Sequence, residues 1–235
     1  MHRYVYLLCL SWVLGASTVS GQVPAKDLDP SSLSEDRLAL LNREFGNRKE
    51  IPSLYRRQIL LALSYFPELK EVSICFHVRQ TNKAPLTTAP ELFSILQPGR
   101  ERSYRITIRN LKSKNLQPIL FENLPFNAQV GVIGHELSHV ADFHRQSSFQ
   151  LISSGLKHIS YKYLDRFEYR TDSICVAHGL GYQLLAWSNY VRSSLHRRNW
   201  IGAGNLSETA TGRERYMNPS TIERKIREEA IYRGL

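Results

Sequence analysis

Apolar side chains recur at helical spacing in SLYRRQILLALSYF, at Leu54, Ile59, Leu60, Leu63 and Phe66, and Pro67 closes the run. The period then changes. Val72, Ile74, Phe76 and Val78 alternate with Ser73, Cys75, His77 and Arg79, which predicts a strand with one buried face. Tyr104, Ile106 and Ile108 alternate with Arg105, Thr107 and Arg109 to predict a second strand. Between the two, TNKAPLTTAP reads as a turn-rich connection, and PILFENLPF predicts a short third extended segment. A helix follows across GVIGHELSHVADFHR. Further on, a helical region from about Tyr161 to Arg192 has Gly179 and Gly181 as weak points, and STIERKIREEAIYR predicts a last helix, preceded by Pro219 and capped by Ser220. A helix, two or three strands and then helices make an α+β fold.

The two ends carry different signals. MHRYVYLLCLSWVLGASTVSG has a short basic start, an apolar run from Tyr4 to about Ala16 and small residues at its end, the layout of a cleaved leader over residues 1–21. The run is shorter than the roughly 20 residues of a spanning helix. The chain is therefore read as exported, to a periplasm or the exterior of a bacterium, with no membrane span once the leader is gone. From Gln22 to about Asp36, QVPAKDLDPSSLSED shows no apolar period, so residues 22–53 read as a partly mobile lead-in and residues 54–235 as a single domain.

Composition narrows the partners. With 42% hydrophobic and 22% charged residues, the chain has a globular rather than a disordered balance. Losing the leader removes Arg3 and no acid, so the net charge falls from +10 to +9. That favours anionic partners such as an envelope polymer or an acidic peptide surface, alongside a plain solvated basic surface. Nucleic acid is disfavoured, because the basic residues are scattered and no nucleic-acid motif accompanies them. Cys75 and Cys175 could pair in an oxidising compartment, although two cysteines are no framework.

The predicted helix around residue 135 carries two stripes. Val130, Ile133, Leu137 and Val140 step by three and four along one side. His135 and His139, at i and i+4, stack on another side with Glu136 beside them, a stripe that packing alone does not require. Two imidazoles one turn apart can reach a single zinc ion at roughly 2.1 Å each, and the adjacent carboxylate can serve as general base. His144 falls outside this face. A third ligand is still needed, and the metzincin solution is excluded because Asp142 and Arg145 stand where that pattern has Gly and His. Downstream, YLDRFEYRTDSIC offers Asp165, Glu168 and Asp172. Glu168 and Asp172 share a helical face, so Glu168 can bind while Asp172 receives the far nitrogen of a ligating histidine. Asp165 has only Tyr169 one turn later and is the less convenient acid.

HELSH with the downstream EYRTD resembles the gluzincin metallopeptidases, whose pattern is HExxH followed by ExxxD on the next long helix, and the small minigluzincins in particular. The resemblance implies a zincin-like fold in which a small mixed sheet packs against the metal helix and a following ligand helix. It implies one zinc ion per chain on His135, His139 and Glu168, Glu136 as base and proton shuttle, and Asp172 behind the ligands. It further implies that a strand just before the metal helix, here Ile119 to Asn123, forms the rim along which a peptide substrate adds as an extended strand. Larger gluzincins use a Tyr or His to stabilise the oxyanion; His178, Tyr182 and Tyr216 are candidates, and no spacing selects among them. Cys175, seven residues after Glu168, reads as a small buried residue or half of a disulfide rather than as a silencing fourth ligand.

The leading expectation is an exported zinc metallopeptidase. One alternative is a zinc-stabilised or degenerate domain that binds peptide or envelope polymer without cleaving it. Another is a basic secreted interaction module in which the motif is chance. The intact Glu136 speaks against the first and the Glu168, Asp172 pair against the second.

Overall fold

The computed structural model of the chain describes residues 22–80, 84–110, 115–157, 160–202 and 214–235. The leader expectation, on residues 1–21, lies outside the described residues. The fold is mixed α+β. Helices α1 (Glu35–Phe45) and α2 (Arg56–Leu63) precede most of a four-stranded sheet made of β1 (Lys49–Glu50), β2 (Ser73–Gln80), β3 (Leu86–Pro90) and β4 (Ser103–Asn110). Helices α3 (Phe126–Arg145), α4 (Ser148–Lys157), α5 (Tyr161–Cys175), α6 (Gly181–Ser194) and α7 (Pro219–Glu228) follow. Strand order is β1-β2-β4-β3, with β2 parallel to both neighbours and β3 antiparallel to β4.

The two alternating runs form the centre of the sheet in the expected phase, except that Val78, near the end of β2, is exposed rather than buried. Ile74 and Phe76 of β2 lie beside Tyr104 and Ile106 of β4, all buried, while Cys75, His77, Arg105 and Thr107 point to the other face. The inner face meets α3. Its stripe of Val130, Ile133, Leu137 and Val140 is fully buried, and α2, α5 and α6 enclose the rest of the helix. Close packing of α3 on α6 depends on Gly131, where a Cβ would overlap the Gln183 carbonyl.

Several expectations are corrected. Residues 119–123 are no strand: they form two 3-10 turns, Gln117–Ile119 and Phe121–Asn123, because Pro118 cannot donate to a ladder and the buried Ile119 and Phe121 anchor the chain instead. The strand beside α3 is β3, from the segment read as a loop. Leu86 pairs with Ile108 and Thr88 with Ile106, so LTTAP is extended by its partner rather than by its own composition. Pro90 is tolerated at its end because β3 is an edge strand.

The lead-in is also more structured than expected. Ser34 caps α1 by accepting from the Arg37 N–H at 3.2 Å, Glu35 and Asp36 occupy the first turn, and Leu38, Leu41 and Phe45 enter the core. Ahead of it, the Ala25 carbonyl accepts from Gln183 Nε2 at 3.0 Å and the Leu28 N–H donates to Asn127 Oδ1 at 3.0 Å. Packing therefore begins well before residue 54. Leu54 itself is exposed, in a 3-10 turn ahead of α2.

Between α5 and α6 a π turn, Val176–Leu180, contains Gly179 at φ +95°, a conformation that L side chains rarely adopt, so one of the two glycines marked as weak points does break the helix. In the last helix the N-cap is Asn218, and Pro219 occupies the first turn, where its missing N–H costs nothing; Ser220 lies inside the helix.

Candidate metal centre

Helices α3 and α5 bring the chemical stripe of one against the acids of the other. His135 Nε2 lies 3.2 Å and His139 Nε2 3.3 Å from Glu168 Oε2. Three atoms bound tetrahedrally at roughly 2.0–2.1 Å from one zinc ion stand about 3.3–3.4 Å apart, so these separations match that coordination. The rings meet edge to face, 4.8 Å between centroids, and all three ligand side chains are buried or nearly so.

The far side of each imidazole is fixed. His135 Nδ1 is 2.8 Å from Asp172 Oδ1, the partner expected for a ligating histidine. His139 Nδ1 is 3.1 Å from Thr171 Oγ1, whose own hydrogen goes to the Phe167 carbonyl at 3.0 Å. The hydroxyl can therefore only accept from Nδ1–H. Both rings are thus held with a proton on Nδ1, which leaves Nε2 as the nitrogen that faces Glu168, the orientation that metal ligation requires. Glu168 Oε2 is buried with no hydrogen-bond donor. A buried carboxylate oxygen facing two imidazole nitrogens is costly unless positive charge, from a proton or a metal ion, completes the cluster.

The electrostatics agree with a site built for positive charge. Burial alone would push the His135 imidazole down, but the Asp172 and Glu168 carboxylates override it and hold it well above its ordinary value. Burial would likewise raise Glu168, yet the two imidazoles hold its carboxyl far below the usual range.

Glu136, on the same turn of α3, faces a cavity of about 260 Å³ lined also by Thr88, Phe143, Phe167, Glu168 and Tyr216. Thr88 Oγ1 donates to Glu136 Oε2 at 2.7 Å, which ties the carboxylate to edge strand β3. Tyr216 packs against His135 at 5.6 Å between ring centroids, as does Trp187. Burial, reinforced by Glu168, Glu136 and Asp172, pushes its phenol well above the usual range, so the hydroxyl stays a donor. A second, smaller cavity of about 60 Å³ adjoins His135, Glu136 and Tyr216, with walls that include Ile119, Leu124, Val132, Trp187 and Trp200.

No family model, curated protein or solved structure matches the chain.

Of the three oxyanion candidates, only Tyr216 lines the site. His178 donates from Nδ1 to the Ile174 carbonyl, pairs through Nε2 with Glu68 at 2.8 Å and stacks on Phe66. Tyr182 meets Tyr232 edge to face. The π turn carries both away from the metal face. His144 stays outside the site, as its helical position requires, half-buried near Tyr104. Asp165 is used elsewhere: it accepts from Arg215 Nε at 2.8 Å, next to Tyr216. Cys175 is buried beside Gly134 and Cys75 lies on the outer face of the sheet; both are free thiols.

Thr88, Thr171 and the neighbours of Tyr216, namely Arg215, Met217 and Asn218, carried no reading in the sequence. Thr171 had a signal, since it shares a helical face with Glu168. Thr88 had none apart from the pairing that makes β3 a strand. Tyr216 is held by distant contacts: Asp172 Oδ2 accepts from the Met217 N–H at 2.7 Å, and the buried Arg192 donates to the Met217 carbonyl at 3.3 Å and to Asn218 Oδ1 at 2.9 Å.

Proposed function

We propose that the chain is a zinc-dependent metallopeptidase of gluzincin type, with a zincin-like core and one catalytic zinc on His135, His139 and Glu168. The observation that carries the reading is the convergence of two Nε2 atoms and one buried carboxylate oxygen, with the opposite nitrogens fixed by Asp172 and Thr171. When bound, zinc supplies polarisation of the scissile carbonyl and acidification of the attacking water.

The rest is the work of the chain's own groups. Edge strand β3 aligns an extended peptide over the cavity by main-chain hydrogen bonds. Glu136, steadied by the Thr88 hydroxyl, accepts the proton of the attacking water and passes it to the leaving amine. The Tyr216 hydroxyl donates to the carbonyl oxygen as negative charge develops on it. An apolar side chain beside the scissile bond fits the smaller cavity. Export by a bacterium, a peptide or protein substrate, an anionic envelope polymer as a further partner and no role for nucleic acid complete the proposal. No helix among the described residues is long and apolar enough to cross a membrane.

Replacing His135 and His139 by Ala is expected to lower the zinc content of the purified protein by one equivalent. Glu136→Gln is expected to keep that zinc and abolish cleavage of a mixed peptide library. A wild-type protein with no cleavage that Glu136→Gln removes would rule out the enzyme and leave the zinc-stabilised binding domain.

A further inference from the structure

On the opposite face of the sheet, three side chains with metal-binding chemistry converge that take no part in the centre on α3 and α5. Strand alternation turns Ile74 and Phe76 of β2 inward and Cys75 and His77 outward. The parallel register of β1 sets Glu50 directly beside Cys75. The ligand atoms of Glu50, Cys75 and His77 all lie within 4.8 Å of one another. The Cys75 thiol donates to Glu50 Oε2 at 2.7 Å, so the carboxylate and the sulfur already face each other.

We infer that Glu50, Cys75 and His77 form a second metal site, one that takes a zinc-class cation through sulfur, nitrogen and oxygen. Thiolate, imidazole and carboxylate together are the ligand types zinc accepts, with a fourth position left to water. At zinc bond lengths of roughly 2.3 Å to sulfur and 2.0 Å to oxygen, the two atoms would stand about 3.5 Å apart. The cation therefore takes the place of the thiol proton with a movement of less than about 1 Å, and that proton is released to solvent.

The surroundings favour a cation over the other uses of a cysteine. The Glu50 carboxylate sits against the Cys75 sulfur, an anionic neighbour that a cation would neutralise. Arg105 lies across from Cys75 on β4, but its charge is taken up by Glu91 at 2.7 Å. The site would also have a mechanical consequence. Strand β1 is only Lys49–Glu50, and a cation shared with β2 would pin this short edge to the sheet.

The two sites are separable because only this one contains sulfur. Cobalt(II) titrated into the full-length metal-free protein should give a thiolate-to-cobalt charge-transfer band in the near ultraviolet, with a total of two metal equivalents bound. Cys75→Ser should lose the band and one equivalent while keeping the other and the native far-ultraviolet circular dichroism. His135→Ala with His139→Ala should do the reverse, keeping the band. Wild-type protein supplies a readout that needs no variant: one added equivalent of zinc beyond the first should slow alkylation of Cys75, mapped by peptide mass, by about tenfold or more. A band that persists in Cys75→Ser, or a Cys75 alkylation rate indifferent to zinc, would overturn the second site and leave the centre at His135 untouched.

Discussion

Asp172 Oδ1 and His135 Nδ1 are 2.8 Å apart in the interior, and the other oxygen of the same carboxylate accepts from the Met217 N–H at 2.7 Å. One carboxylate thus orients the ring of a proposed metal ligand and the backbone next to Tyr216. Asp172→Asn retains a single acceptor oxygen for two N–H donors. If that oxygen stays with Met217, His135 loses its reason to keep the proton on Nδ1. Zinc affinity is expected to fall about 10–100-fold, read by competition with a chelating dye. Stability should fall by about 1–3 kcal/mol in a denaturant titration, because one buried N–H loses its partner. Unchanged affinity would mean that Asp172 serves only the backbone.

Tyr216 stands at the junction of the two cavities, with its hydroxyl kept protonated by burial and by the acids around it. Tyr216→Phe removes a donor and little volume. In the proposed reaction kcat should drop about 10²–10³-fold with KM and zinc content nearly unchanged, since the hydroxyl is needed when charge develops on the carbonyl oxygen. A rise in KM at constant kcat would instead make Tyr216 a binding group.

The legibility of these parts in the sequence follows their physics. The metal helix carries its own signal, because a helix must repeat every three or four residues and two separate stripes did so. Glu168 and Asp172 were readable for the same reason. Helix α1 was readable but passed over: Ser34, the acids after it and Leu38, Leu41 and Phe45 form a capped amphipathic pattern that the polar stretch ahead of it obscured. Strand β3 and the turn bearing Tyr216 are different. Thr88 faces Glu136 because Tyr104 to Ile108 offer a ladder, and Tyr216 faces His135 because Asp172 and Arg192 hold its backbone. Such positions are set by partners far along the chain, and no local period records them.

Away from the site, Glu68 offers a pH test. Burial would raise its carboxyl, but His178 at 2.8 Å and Arg145 at 3.2 Å prevail and hold it below the usual value. A folded value below the unfolded one means stability that is fully present above about pH 4.3 and lost as pH falls through the lowered folded value. Glu68→Gln should therefore narrow its stability gap to wild type as the pH drops through that window in urea titrations. A gap that widens in acid would contradict the pairing.

The smaller cavity makes a claim about specificity. Val132, from the turn of α3 before His135, shares its wall with Leu124, Trp187 and Trp200 beside Glu136. At about 60 Å³ it suits a small apolar side chain. Val132→Ala removes two methyl groups from that wall and leaves every proposed ligand in place. The enlarged space should shift kcat/KM toward peptides with a larger apolar residue next to the scissile bond by about tenfold, the scale of a methylene or two in an apolar pocket. The cavity should cost about 1–2 kcal/mol of stability. Zinc content should not change, which separates a specificity effect from damage to the centre. If peptides with small and large apolar residues keep their ranking, the substrate side chain binds elsewhere along β3.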